Sequence, residues 1–249
     1  MRVPLVTGGD GYIGSALVKH LGMAVSLDLM PGYQRKKDVY PLWYSSVIHL
    51  AACSSVRECE QSPQYAAENN LADVIRFMRE IGDLPFIYAS SGSVHDTHIH
   101  SIYDETKRAL DAIIPLLHPN SWGLRFATVC GVSPVMRDDT ILNGMTKTAV
   151  KNGVIRVRNQ HKWRPVLTLD DLCWFVDRCL SGDVPPGIHD VATFNCRIGG
   201  YAELVRDATG AVIVGERDTP TYDFTQPTLG RTNDIRPVIE ELVAYWKEH

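Results

Sequence analysis

The chain has 249 residues, 45% of them hydrophobic, and a formal charge of −4. That length and apolar content can bury one large core or two small ones, and the slight acidic surplus offers no basic face for nucleic acid or an anionic membrane. No apolar run reaches the ~18 residues of a membrane span and the stretch before Gly8 is too short for a signal peptide, so a cytoplasmic address is expected.

In chain order, Val3–Val6 reads as a short buried strand, followed by a glycine-rich turn and a helix over Ile13–Leu21. Ala24–Asp28 is a second strand, which closes a βαβ unit. Further strands are expected at Ser46–Leu50, Phe86–Ala89 and Trp122–Phe126, with helices over Pro63–Ile81 and Tyr103–Leu117 between them. Strands that alternate with helices predict an α/β chain with a Rossmann-type doubly wound parallel sheet. Residues 133–157 break the rhythm, and Trp163–Leu180 reads as a strand and helix returning to the main sheet. The expected division is a dinucleotide-binding domain of residues 1–132 plus 163–190 and a small substrate-binding lobe of residues 133–162 plus 191–249. Six cysteines, Cys53, Cys59, Cys130, Cys173, Cys179 and Cys196, form no CxxC pair and read as reduced thiols.

Two local patterns carry chemistry. Thr7-Gly8-Gly9-Asp10-Gly11-Tyr12-Ile13-Gly14 satisfies GxGxxG spacing through Gly9, Gly11 and Gly14, and TGxxGxxG spacing through Gly8, Gly11 and Gly14. Such glycines let the backbone turn tightly and approach a pyrophosphate, whose charge rests on the N-terminus of the following helix. Asp28 at the end of the second strand suits the adenosine ribose hydroxyls and would repel a 2′-phosphate, so NAD is expected over NADP; Arg35, Lys36 and Lys37 lie nearby. The second pattern is Tyr103-Asp-Glu-Thr-Lys107. A Tyr titrates near ~10, and a Lys one helical turn away supplies the positive charge that favours its ionised form.

Beyond these, the chain resembles the extended short-chain dehydrogenase/reductase family, the nucleotide-sugar epimerases and dehydratases, over nearly its whole length, and most of all the UDP-glucose/UDP-galactose-type 4-epimerases. His49-Leu50-Ala51-Ala52 is similar to its HLAA element, Pro63-Gln-Tyr65 with Asn69-Asn70-Leu71 to its P-x-x-Y…N-N helix start, and Ala89-Ser90-Ser91-Gly92-Ser93-Val94 to its SSSxxVYG element. Trp122–Gly131 resembles the strand toward the nicotinamide-side loop, Arg137–Asn143 the MRxDxxxN stretch, and Trp163-Arg164-Pro165 with Asp170-Asp171-Leu172 the element whose Arg meets the nucleotide diphosphate.

The resemblance implies that Ser91, Tyr103 and Lys107 are catalytic: Tyr103 is the acid/base, Lys107 lowers its pKa and holds the ribose, and Ser91 hydrogen-bonds the reacting oxygen. It implies an NAD site made of Gly8, Gly11, Tyr12, Ile13, Gly14, Asp28, Leu29, Asp38, Leu50, Ala51, Ala52, Asn69, Ala89, Ser90, Tyr103, Lys107 and Phe126. The sugar nucleotide would meet Ser54, Ser91, Ser93, Tyr103, Asn143, Arg164 and Arg217. Gly92 and Ser93 stand where dehydratases carry acids, which points to C4 epimerisation through a transient keto sugar; a keto-sugar reductase and a non-catalytic dinucleotide-binding protein remain alternatives. The segment between Asp28 and His49 is short for the family, and Asp218–Tyr222 lacks the Arg of the family's nucleotide clamp, with Arg217 or Arg231 as substitutes. His95, His98 and His100 have no companions that would make a metal site, and none is expected. A homodimer through the helices 63–81 and 103–117 is implied by the same resemblance.

Overall fold

The computed structural model describes residues 2–28, 43–96, 98 and 101–249. Leu29, Asp38, the cations Arg35, Lys36 and Lys37, and His100 lie outside the described residues.

The chain opens with β1 (Val3–Thr7), α1 (Tyr12–Leu21), β2 (Val25–Leu27), β3 (Tyr44–His49), α2 (Val56–Gln61), α3 (Pro63–Ala67), a π-helical turn (Glu68–Ala72), α4 (Asp73–Ile81) and β4 (Phe86–Ser91). A 3-10 turn (Gly92–His95), α5 (Ile102–Leu117) and β5 (Ser121–Phe126) follow. The remainder is β6 (Thr128–Cys130), α6 (Ile141–Asn152), β7 (Val154–Val157), β8 (Trp163–Thr168), α7 (Leu169–Leu180), β9 (Gly187–Val191), β10 (Phe194–Arg197), α8 (Ile198–Thr209), β11 (Val212–Gly215) and α9 (Arg236–Glu248). These elements group into two compact units, residues 1–125 with 173–189, and residues 126–172 with 190–249.

The first unit carries a six-stranded sheet in the order β2-β1-β3-β4-β5-β9. β1 pairs in parallel with both β2 and β3, so the strand order reverses at β1, and open α/β sheets bind ligands at such a reversal. Register then decides what meets there. Thr7 lies opposite Leu27 on one side and His49 on the other, and His49 lies opposite Tyr88 of β4. The residues that follow, the glycine turn, Asp28, Leu50-Ala51-Ala52 and Ala89-Ser90-Ser91, therefore emerge side by side along the carboxyl edge. Helices cover the sheet, so the strands read as continuous apolar runs: Leu5, Val47, Phe86 and Tyr88 pack with Val74, Phe77 and Ile81 of α4 and Leu110 and Ile114 of α5.

The helix expected over Pro63–Ile81 is continuous in span but holds the π turn at its middle. Asn70 in that turn is fully buried and grips the backbone of Cys53 at both ends, its Nδ2 donating to the Cys53 carbonyl at 3.0 Å and its Oδ1 accepting the Cys53 N–H at 2.8 Å.

In the second unit, β8 lies between β10, antiparallel, and β6, parallel, and β11 pairs in parallel with β7. Its core gathers Leu142, Val166, Tyr201, Val205, Ile239, Leu242 and Trp246. This corrects the expected return of Trp163–Thr168 to the main sheet. A short buried run such as Pro165–Leu167 has the same pattern in any sheet, and only its partners, Phe194–Arg197 and Thr128–Cys130, show where it belongs.

Candidate active site

The glycine turn is built for a close approach. Gly8 has a left-handed φ of +69°, and a Cβ there would lie 2.8 Å from the Ala51 nitrogen; a Cβ at Gly14 would lie 2.0 Å from the Gly8 carbonyl oxygen. The turn is thus wedged between β3's end and α1. Gly11 is the N-cap of α1 and, lacking a side chain, makes no cap hydrogen bond at the positive end of the helix dipole. Tyr12 is buried and Ile13 half-buried in the first turn of α1. Asp28 accepts the Asp10 backbone N–H at 3.0 Å, and the Ser26 hydroxyl donates to Asp10 Oδ1 at 2.7 Å, so two carboxylates are fixed beside the turn.

On β3, His49 is buried between Phe77 and Phe86 with Nδ1 2.8 Å from the Thr7 hydroxyl, which makes the first residue of the HLAA element a packing group. Leu50, Ala51 and Ala52 are half-buried beyond it and Ser54 is exposed. Asn69 is half-buried and donates to Asn70 Oδ1 at 3.1 Å. Among the described residues, the hydroxyl of Ser90, itself only 3% exposed, meets no hydrogen-bond partner.

α5 is tied to the end of β4 at several points along two faces. Lys107 Nζ donates to the Ala89 carbonyl at 2.8 Å and stands 5.7 Å from the centre of the Tyr103 ring. Arg108 donates to the carbonyls of Val94 at 3.3 Å and Asp96 at 2.8 Å. Asp104, fully buried, accepts from the hydroxyls of Ser93 at 2.5 Å and Ser101 at 2.6 Å. Ser93 in turn lies 2.7 Å from Ser91 Oγ. Burial lowers Lys107 to about 8, an effect opposed by the negative charge of Asp111. The arrangement fixes a cation beside a phenol and holds a serine hydroxyl on the strand to which that cation is bonded.

Sequence reasoning passed over Asp104, Arg108 and Asp111. The signal for Asp104 is the Ser101-x-x-Asp104 spacing of a capping box, and Ser101 does cap α5 by accepting the Asp104 N–H at 3.1 Å. Asp111 takes the Arg125 guanidinium at 2.8 Å under the sheet, a pairing across sequence that no local pattern announces.

The remaining expected residues belong to the second unit. Phe126 is buried at the end of β5. Asn143 is fully buried, accepting the Gly131 N–H at 3.1 Å and donating to the Arg137 carbonyl at 2.8 Å. Arg164 donates to the Thr221 hydroxyl at 2.9 Å and the Tyr222 carbonyl at 3.0 Å, with its guanidinium 5.4 Å from the Tyr222 ring. Arg217 is exposed, while Arg231 is paired with Asp171 at 2.5 Å. Among the described residues no cluster of three or more His, Cys, Asp or Glu is disposed to hold a metal ion, and no helix is long and apolar enough to cross a membrane.

No protein-family model matches the chain, and no curated protein matches it. Solved structures do. A UDP-N-acetylglucosamine 4-epimerase from Methanobrevibacter ruminantium M1, in complex with UDP-N-acetylmuramic acid, superposes with a TM-score of 0.82 at 17% identity, over 100% of this chain and 99% of that one. TunA, an NAD-dependent NDP-hexosamine 5,6-dehydratase of tunicamycin biosynthesis, gives 0.81 at 15% identity over 100% and 99%. RMD from Pseudomonas aeruginosa, complexed with NADPH, gives 0.79 at 18% identity over 100% and 99%. The α/β chain, with its six-stranded Rossmann-like sheet, has the fold that these proteins share.

Proposed function

We propose that the protein is an extended short-chain dehydrogenase/reductase, an NAD-dependent 4-epimerase of a nucleoside-diphosphate sugar. The observation that carries the reading is the position of Ser91, Tyr103 and Lys107 at the same sheet edge as the glycine turn, with Lys107 bonded to β4 two residues before Ser91. The residues present fit a dinucleotide. The uncapped N-terminus of α1 and the side-chain-free Gly8–Gly14 turn suit its pyrophosphate, and the buried, unpartnered Ser90 hydroxyl faces the same requirement for a missing polar group. Asp10 and Asp28 at the turn favour a ribose with free hydroxyls over a 2′-phosphate.

A nicotinamide held at this edge would supply the hydride chemistry, removal from and return to the sugar carbon. Tyr103 takes and gives back the hydroxyl proton, and the buried ammonium of Lys107 favours the phenolate that this requires. Ser91 holds the reacting oxygen. Asp104, the acid nearest in sequence to Tyr103, is fully buried and engaged with two serines, which supports epimerisation over an elimination that needs an acid in contact with the sugar. Structural likeness to an NADPH-bound protein favours a second reading, a keto-sugar reductase. A cytoplasmic homodimer through α3, α4 and α5, where Tyr65, Leu116 and Leu117 are exposed, belongs to the same proposal, and a monomeric mass by light scattering would remove that part.

The test is to denature the purified protein, identify the released nucleotide, and assay UDP-, dTDP-, GDP- and CDP-sugars for epimerised product. Released NAD with epimerised sugar is expected, and Tyr103→Phe should abolish turnover while sparing NAD binding. NADPH-dependent reduction of a keto sugar moves the assignment to reductase, and undiminished turnover by Tyr103→Phe refutes the mechanism.

A further inference from the structure

A hydrogen-bonded chain, Ser91–Ser93–Asp104–Ser101, runs from the candidate catalytic serine into the interior of the first unit, and hydrogen-bond accounting fixes its direction. The Ser93 and Ser101 hydroxyls both donate to the Asp104 carboxyl group, at 2.5 and 2.6 Å. The single hydroxyl hydrogen of Ser93 is committed, and in its 2.7 Å contact with Ser91 it can only accept. Ser91 therefore points its own hydrogen at Ser93, while the Ser93 backbone N–H occupies one Ser91 lone pair at 3.3 Å. One lone pair of Ser91 is left for a substrate.

The frame around this chain is rigid. Ser91 caps the 3-10 turn that carries Ser93, Arg108 of α5 holds the carbonyls of Val94 and Asp96 in the same turn, and Asp104 sits one residue after Tyr103. A displacement of the Asp104 carboxylate thus reaches both the Ser91 hydroxyl and the first turn of the helix that presents Tyr103.

We infer that Asp104 is a positioning residue: by holding the Ser93 hydroxyl it sets the rotamer of Ser91, whose hydrogen swings from Ser93 to the reacting sugar oxygen while Ser93 stays bonded to Asp104. The inference rests on the reaction proposed above. It explains why an Asp stands inside the Tyr103–Lys107 helix at a wholly buried position, where a carboxylate without hydrogen-bond donors would be costly.

The experiment compares wild type, Asp104→Asn, Ser93→Ala, Ser93→Thr and the double variant Ser93→Ala/Asp104→Asn, on whichever of UDP-, dTDP-, GDP- and CDP-glucose the wild type turns over. Asp104→Asn and Ser93→Ala should each lower kcat about 10- to 100-fold with KM changed less than about twofold, because a misplaced group weakens the transition state and leaves binding intact. The double variant should be no slower than Ser93→Ala, and Ser93→Thr, which keeps the hydroxyl, should recover most of the rate. NAD affinity should be unchanged throughout. Additive losses, or full activity in Ser93→Ala, overturn the relay while leaving the epimerase reading intact. If Asp104→Asn does not fold, the contrast between Ser93→Ala and Ser93→Thr decides. A wild type inactive on every nucleotide sugar overturns the proposed function, and the relay with it.

Discussion

Replacement of Gly14 by Ala probes the turn on which the proposed dinucleotide site depends. The new Cβ would stand 2.0 Å from the Gly8 carbonyl oxygen, 2.6 Å from Gly9 Cα and 2.8 Å from the Gly8 carbonyl carbon. Cβ contacts below 3.0 Å essentially do not occur, so α1 and the turn must part by at least 3.0 − 2.0 = 1.0 Å. All three obstructing atoms are backbone, and no side-chain rotation relieves them. The turn cannot retreat either, because Gly8 already lies against Ala51, where even a Cβ would come within 2.8 Å of the nitrogen. Overpacking of this kind costs about 1–3 kcal/mol, and contact with backbone on both sides puts it at the upper end. At about 2–4 °C per kcal/mol for a chain of this size, the melting temperature should fall about 6–12 °C. NAD titrated by calorimetry should bind at least about tenfold more weakly, equivalent to about 1.4 kcal/mol, as the turn opens. Gly11→Ala is the control: its Cβ meets only the Gly8 oxygen, at 3.3 Å, and Gly11 has an extended backbone that any residue adopts, so most of the stability should remain. A Gly14→Ala protein that melts within about 2 °C of wild type and binds NAD normally would refute the close-packing argument.

Two further outcomes follow from the charges. Burial lowers Lys107 to about 8, so between there and its unfolded value near ~10.4 the unfolded chain holds a proton that the folded chain has released; this residue opposes folding below about pH 8 and the opposition fades as pH rises through that window. In the proposed mechanism the Lys107 ammonium supports a Tyr103 phenolate and is lost as pH rises through about 8, so turnover should decline above that, and a profile flat to pH 10 would show that the Lys107 charge is not used. In the second unit, Asp171 is 4% exposed and accepts Arg231 at 2.5 Å and the Thr193 hydroxyl at 2.6 Å, so Asp171→Ala removes one acceptor from each. Hydrogen bonds to a charged group are worth about 1.5–3 kcal/mol, and because Arg231 is partly solvated the loss should be near 3 kcal/mol for the pair in urea unfolding, with a loss under about 1 kcal/mol contradicting the assignment.

The features legible in the sequence are those whose chemistry is local. A turn that a Cβ would obstruct must be written in glycine at Gly8 and Gly14, and the amphipathic period of α5 gives the helix within one residue of its observed start. The gathering of that turn, Asp28, Ala51 and Ser91 at one edge follows from parallel pairing once the strands are recognised. What stayed hidden depends on partners far apart in sequence. The π turn at Glu68–Ala72 leaves the apolar period almost unchanged and is justified only by the Cys53 backbone that Asn70 grips. The strand β8 reads alike in either sheet. Asp104 looks like an exposed acid of a helix start, and only the convergence of Ser93 and Ser101 on it explains its burial.

In the proposed nucleotide-sugar site, Asp218–Tyr222 carries no arginine of its own. Arg164 and Lys162 both donate into that segment, Lys162 Nζ to the Thr221 carbonyl at 2.9 Å, and Asp218 accepts the Asn159 N–H at 2.5 Å. The segment is therefore held in place by cations from β8 and the turn before it, and supplies no cation of its own until Arg217 on its N-terminal side. Arg231, itself exposed, is tied to the buried Asp171 carboxylate. Of the guanidinium groups considered for the diphosphate, Arg217 is exposed and no described residue bonds to it, whereas Arg164 is engaged with Thr221 and Tyr222 and Arg231 with Asp171. A guanidinium already fixed by protein partners has less freedom to follow a phosphate than one that has none among the described residues. Arg217 is the residue on which diphosphate affinity should then most depend.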